Sequence, residues 1–323
     1  MKKTILKIMI SLLVFALAMN VYASGTQETK ATYPSRTITL IVPWSAGGGT
    51  DAIARALVKN AQNYLGVPVV VENKPGGQGA VGLADVMRAP PDGYTIAILP
   101  VELGFLKAQG IYPFDFTNFT RIMNLNTDAA ALAVKADAKW NTLEGFLNDA
   151  KQRPGKISIG HSGTGLLWHL AALTLADRTG TSYAYVPFNG AGDAIAAILG
   201  NNLDAMTFSG AEVSAQVKAG NMKILAILGD KRMPIFPDIP TAQELGYNIN
   251  LNTFRGLGGP AGLPADRVTI LHDAFKKMTS DPDFISVMDN LGLGIDYRNT
   301  AAYVKLTEDT AHDLSTVLKS LKN

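Results

Sequence analysis

The chain has 323 residues, with 29 Lys and Arg against 27 Asp and Glu and 17% charged residues in all. This near balance excludes a broad basic field for nucleic acid or an acidic membrane surface. It has no cysteine, which excludes disulfides and thiolate metal sites.

The first 23 residues read as a secretory leader. Lys2, Lys3 and Lys7 precede a short apolar run over residues 8–18, and Val21-Tyr22-Ala23 places cleavage after Ala23. The run is too short to span a membrane comfortably. No Cys follows it to carry a lipid, and no later run reaches spanning length, so a soluble exported protein is expected. Without the three leader lysines the balance is 26 basic against 27 acidic residues. Residues 24–32, small and polar, are expected to be a flexible tail.

From there apolar β-rich runs alternate with helical patterns, the signature of an α/β fold. Thr39 to Trp44 reads as a strand. It enters Ser45-Ala46-Gly47-Gly48-Gly49-Thr50-Asp51 and then a helix over residues 52–65, closed by Gly66. Residues 67–71 form a second strand, 75–79 a turn, 80–88 a helix and 94–99 a third strand. A strand over 132–135 and a helix over 142–152 follow. Then the first plan returns: strand 156–160, turn His161-Ser162-Gly163-Thr164-Gly165, helix 166–178. Strands are expected at 183–187, 203–208 and 224–228, with a helix at 193–199. Residues 252–259 form a return segment, and helices at 265–279 and 300–321 complete the chain.

The two glycine turns carry the functional argument. Each leads a strand into a helix start, where free backbone N–H groups and the positive end of the helix dipole attract an anion without a basic side chain. Three successive glycines are costly for a mere turn, so close approach of a ligand is the better reading. Asp51 as a simple N-cap is the plainer one. No Gly-Lys-Ser/Thr completes a phosphate loop. Two such units, half a mature chain apart, suggest two lobes closing on one anion. The candidate contacts are Trp44, Ser45, Ala46, Gly47, Gly48, Gly49 and Asp51 from the first unit. Ser162, Gly163, Thr164 and Gly165 come from the second, with Phe188, Asn189, Ser209 and Glu102 at other strand ends.

Other motifs compete. Gly160-His161-Ser162-Gly163-Thr164 falls one glycine short of the nucleophile elbow G-x-S-x-G, so a secreted serine hydrolase using Ser162 is the rival class. His169 on the following helix points elsewhere, and His272 and His312 lie in the tail helices. Gly77-Gln78-Gly79-Ala80-Val81-Gly82 matches the dinucleotide fingerprint, with Glu102 20 residues beyond Gly82. However, Glu72-Asn73-Lys74-Pro75 separates that glycine turn from its strand. The four histidines show no metal-ligand spacing. No catalytic residue, cofactor or metal is therefore expected.

Several motifs stand in a fixed order along the chain. They begin with Tyr33-Pro34-Ser35-Arg36, Ile41-Val42-Pro43-Trp44 and Gly47-Gly48-Gly49-Thr50-Asp51. Val69-Val70-Val71-Glu72-Asn73-Lys74-Pro75-Gly76 and Pro91-Asp92-Gly93-Tyr94-Thr95 continue the series. Gly163-Thr164-Gly165 with His169-Leu170-Ala171, Val186-Pro187-Phe188-Asn189-Gly190 and Pro237-Asp238-Ile239-Pro240-Thr241 complete it. Together these motifs resemble the Bug-type receptors, the substrate-binding components of tripartite tricarboxylate transporters, and the resemblance implies a two-lobed periplasmic binding protein of type II, residues 33–127 plus 256–323 forming one lobe and 128–255 the other. It also implies a small organic carboxylate held by the two glycine loops, delivery to membrane subunits, a periplasmic location and a monomer. Three positions depart from the family's habit. Leu166 and Glu102 stand where small residues are usual, and Trp44 where Phe is commoner. An acid at 102 disfavours a second ligand carboxylate and leaves room for an amino group, unless a nearby base such as Arg255 neutralises it or it faces solvent.

Overall fold

The computed structural model describes residues 33–188 and 190–320. The leader, the polar tail and Asn189 lie outside the described residues. Residues 36–323 make one compact unit, and of the preceding segment only Tyr33–Ser35 are described.

The first half runs β1 (Ile38–Val42), α1 (Gly49–Val58), α2 (Ala61–Leu65), β2 (Val69–Asn73), α3 (Ala80–Arg88) and β3 (Thr95–Pro100). β1 pairs in parallel with both β2 and β3. Such strands are covered on both faces, which explains their nearly unbroken apolar sequences: Ile38, Leu40, Ile41 and Val42 are all buried. The single helix expected over 52–65 is two, interrupted at Lys59-Asn60. Gly66 closes the second with φ +73°, the left-handed cap that glycine adopts without strain.

The second half repeats the parallel arrangement. After the long β4 (Phe119–Lys135) come α4 (Leu143–Gln152), β5 (Ser158–His161), α5 (Leu167–Thr179), β6 (Ala184–Pro187), α6 (Ala191–Leu199), β7 (Ala205–Ser209), α7 (Gly210–Lys218) and β8 (Met222–Ile227). β5 lies parallel between β6 and β7. The chain returns through β9 (Asn252–Pro260) and ends in α8 (Ala265–Met278), α9 (Pro282–Leu291), β10 (Ile295–Arg298) and α10 (Thr300–Ser320).

The two parallel trios are joined by antiparallel strands in the order β2-β1-β3-β9-β4-β7-β5-β6. β4 is the connecting element. Its first part, through Ala129, pairs with β9, and Ala130–Val134 pair with β7. The sequence suggested a strand only at 132–135. The missed stretch carries Asn124, Asn126, Thr127 and Asp128, which break the apolar signal of a buried strand. Asn124, Asn126 and Asp128 are nonetheless buried, because they bind polar partners between the two halves. Three further elements, α7, α9 and β10, were also not expected from the sequence.

Candidate functional site

The glycine turns follow the carboxyl ends of β1 and β5, the ends at which open parallel sheets present ligand sites. In the first turn Gly47 has φ +88°, outside the range of ordinary side chains. Gly48 is the N-cap of α1, in extended conformation and without a side-chain cap. In the second, Gly163 and Gly165 have φ +128° and +84°, and Leu166 is an N-cap with no side-chain hydrogen bond. Both helices thus begin without the hydroxyl or carboxylate that usually occupies the first free N–H groups.

Asp51 is not the N-cap of its helix. It is the third helical residue, and it braces the turn from behind. Its carboxylate accepts from Gly47 N at 2.9 Å, Arg55 Nε at 3.0 Å and Asn73 Nδ2 at 2.9 Å. Burial pushes its pKa up, but these bonds outweigh burial and hold it below the usual value. Asn73 also donates to the carbonyl of Trp44, so the chain on either side of the turn is held by one pair of residues. Trp44 is half-buried, and its ring edge lies 3.4 Å from where a side chain on Gly79 would begin. Ser45 to Gly48 are exposed.

The second turn is braced by imidazoles. His161 Nδ1 accepts from Gly163 N at 3.2 Å, and His169 Nδ1 accepts from Gly165 N at 3.1 Å. The rings lie 4.3 Å apart, and Tyr185 meets the His169 ring edge-on at 5.2 Å. Burial, then the neighbouring His169, lowers the His161 pKa to about 4. Burial lowers that of His169 as well. Two of the turn's amides are therefore committed inside the protein. Ser162 and Gly163 are half-buried and Thr164 is exposed; among the described residues the Ser162 hydroxyl has no histidine partner. Phe188 is half-buried and packs over Gly160, where an added Cβ would meet its ring at 3.0 Å. Trp168 is core, near Phe208.

The second turn is tied to the first half by two glutamines. Gln78 Nε2 donates to the Thr164 carbonyl at 3.3 Å, and Gln109 Nε2 donates to the Gly165 carbonyl at 3.1 Å. Gln78 belongs to the dinucleotide-like motif, whose glycines have a packing cause. Gly82 lies so close that a Cβ would meet the Lys74 carbonyl at 2.8 Å.

The floor between the halves holds a charged group around Arg255. On β9, Arg255 sits opposite Pro100 of β3 and Asn126 of β4. Its Nε donates to Thr50 Oγ1 at 2.8 Å and its Nη1 to Asn126 Oδ1 at 2.9 Å; Asp128 lies 3.9 Å away. Its Nη2 and the Glu212 Oε1 approach Gly49, 3.5 and 4.0 Å from where a side chain there would begin. Glu102 is 9% exposed and feels the charges of both Arg255 and Glu212. Burial raises the pKa of Glu102 to about 7, with Arg255 pulling the other way. Burial does the same for Glu212, and raises Asp128. Ser209 is fully buried: its hydroxyl donates to Asp128 and accepts from Ala211 N at 3.0 Å, a cap role on α7. Glu212 escaped sequence analysis, although Ser209 and Glu212 form the S-x-x-E capping box that marks a helix start. Among the described residues no group of three or more His, Cys, Asp or Glu could hold a metal ion.

Two parallel trios joined by two crossing strands, with the second glycine turn held against the first half by Gln78 and Gln109, define a two-lobed solute-binding protein. The chain matches the tripartite tricarboxylate transporter family receptor over residues 53–322, and it belongs to that family. It is 31% identical over 307 residues to a Cupriavidus necator protein called "UPF0065 protein in gbd 5'region", covering 94% of this chain and 93% of that one. The structure of the periplasmic binding protein BugD is similar at TM-score 0.82 and 28% identity, over 90% of this chain and 99% of that one. That of MatC from Rhodopseudomonas palustris with bound malate is similar at TM-score 0.80 and 25% identity, over 88% of this chain and 99% of that one.

Proposed function

We propose that this protein is an exported, monomeric receptor that binds one small organic carboxylate between its lobes and delivers it to the membrane subunits of a secondary transporter, without catalysing a reaction. The observation that carries the reading is the pair of glycine turns, each at the carboxyl end of a parallel strand and each opening a helix that lacks a side-chain cap, with the second turn tied to the first half through Gln78 and Gln109. The malate in the similar MatC structure supports the ligand class, and the basic apolar leader supports export to the periplasm.

In this reading the ligand carboxylate lies between Ser45–Gly49 and Ser162–Gly165, flanked by Trp44 and Phe188. Asp51 and Ser209 act behind the contact surface. Each helix start contributes about 0.3–2 kcal/mol toward the anion. The remaining affinity comes from desolvation and hydrogen bonds made as the lobes close. The lobes are residues 33–127 with 256–323, and 128–255. The hinge is the pair of crossing strands, and closure presents the surface the membrane subunits recognise. Calorimetry of the mature protein, starting at Ser24, against mono-, di- and tricarboxylates tests the reading. Saturable binding of at least one carboxylate with a single site is expected. Absence of binding across the panel, or turnover of an ester by Ser162, would refute it.

A further inference from the structure

The floor of the cleft is richer in acid than a site for a polyanion should be. Three carboxylates, Glu102, Asp128 and Glu212, share the single guanidinium of Arg255. The Nε and Nη1 of Arg255 are spent on the neutral oxygens of Thr50 and Asn126. Asp128 has its own donor in Ser209. Glu102 is the least provided for. It is nine-tenths buried, and among the described residues no donor but its own backbone N–H reaches its carboxylate. A second acceptor nearby is also idle. Gln78 Oε1 is buried without a partner, while the amide's nitrogen is used across the cleft on Thr164. Tyr112 lies between these residues: its hydroxyl donates to the main-chain carbonyl of Gln78, and it senses the Glu102 charge. Buried acceptors without donors are costly, and so are buried like charges in excess of their counterion. A group that brings several donors and a positive charge relieves both. Glu102 comes from the end of β3 and Glu212 from the start of α7, in different lobes, so such a group would also hold the lobes together.

We propose that the ligand carries an ammonium group besides its carboxylate, and that Glu102 and Glu212 receive it, with Gln78 Oε1 as a further acceptor. The inference rests on the receptor reading above and names the substrate class: an amino acid in the broad sense, not a di- or tricarboxylate. The raised affinity of both glutamates for protons has the same cause, since in the empty cleft a proton substitutes for the missing cation. A dicarboxylate would instead place a second negative charge against this floor.

The test is calorimetry of the mature protein at pH 7.5 with three matched series. These are straight-chain ω-amino acids of three to six carbons with alanine and leucine, the diacids malonate to adipate, and the monoacids propanoate to hexanoate. At least one amino acid should bind tenfold or more tightly than the diacid and monoacid of equal length. Glu102→Gln and Glu212→Gln should each reduce that ratio by about tenfold, with circular dichroism unchanged. Glutamine at 212 can still accept from Ser209 N, so the cap of α7 survives. Diacids or monoacids binding while no amino acid does, or an amino-acid preference unchanged in both variants, would overturn this inference and leave the receptor reading standing. No binding in any series would overturn both.

Discussion

Gln109 donates from Nε2 to the carbonyl oxygen of Gly165 at 3.1 Å, tying the segment after β3 to the second glycine turn. The approach is tight: a Cβ on Gly165 would meet Ile111 Cδ1 at 2.9 Å and Gln109 Oε1 at 3.1 Å. With the Gln78–Thr164 bond it joins the two halves of the molecule. Gln109→Ala should weaken carboxylate binding by about 0.5–1.5 kcal/mol, the net worth of one hydrogen bond. The loss should lie in the dissociation rate, because the bond forms only on closure. Stopped-flow dissociation tests this, and an unchanged off-rate would show that the contact does not contribute to closure.

Gly48→Val should abolish carboxylate binding and leave the fold intact. Gly48 has φ −83° and ψ 171°, which any residue adopts, and the nearest atom to an added Cβ is the Ser45 carbonyl at 3.9 Å. The substitution therefore fills only the space in front of α1. Gly47→Val, at φ +88°, should also lower the melting temperature. Calorimetry with thermal denaturation separates the two, and retained affinity in a folded Gly48→Val protein would remove this turn from the site.

The elements that build the lobes were legible in the sequence because parallel strands announce themselves: residues 39–44, 94–99 and 156–160 are apolar runs ended by turn residues. The glycine turns were legible because φ above zero demands glycine. The long crossing strand was not legible. β4 reads as polar through Asn124, Asn126 and Asp128, since these side chains meet Asp296 on β10 and Arg255 on β9, far away in sequence. Glu102 could be flagged as unusual and Arg255 named as its neighbour, but Glu212 in their company could not be foreseen. Glu212 and Arg255 reach Gly49 from α7 and β9, and only the folded register brings them there.

Ser162 is read as a hydrogen-bond donor. Ser162→Ala should weaken binding by roughly 0.5–3 kcal/mol, depending on whether the partner oxygen is charged. A fluorophosphonate should not label the wild type, because both neighbouring imidazoles have Nδ1 turned to backbone amides of the turn itself. Mass spectrometry showing a Ser162 adduct would replace the receptor with a hydrolase.

Glu102 and His161 should make opposing contributions to the pH dependence of stability, with Glu212 adding to the first of them. Glu102 has its pKa raised from 4.5 to about 7 by burial. Between those values the folded protein holds a proton that the unfolded chain has released. Its contribution therefore falls as pH rises through that window, by roughly 3 kcal/mol at most. His161 has its pKa lowered from 6.5 to about 4, by burial and then by His169. There the unfolded chain takes up the proton first, so stability falls as pH drops from 6.5 toward 4. Glu102→Gln removes the Glu102 share of the first contribution and should raise stability at pH 7.5 more than at pH 4.5. His161→Asn keeps an acceptor for Gly163 N and removes the second, so it should flatten the loss on acidification. Urea denaturation of the ligand-free protein at pH 4.5, 6 and 7.5 measures both. A Glu102→Gln curve parallel to wild type across that range would mean that Glu102 is already ionised in the empty cleft.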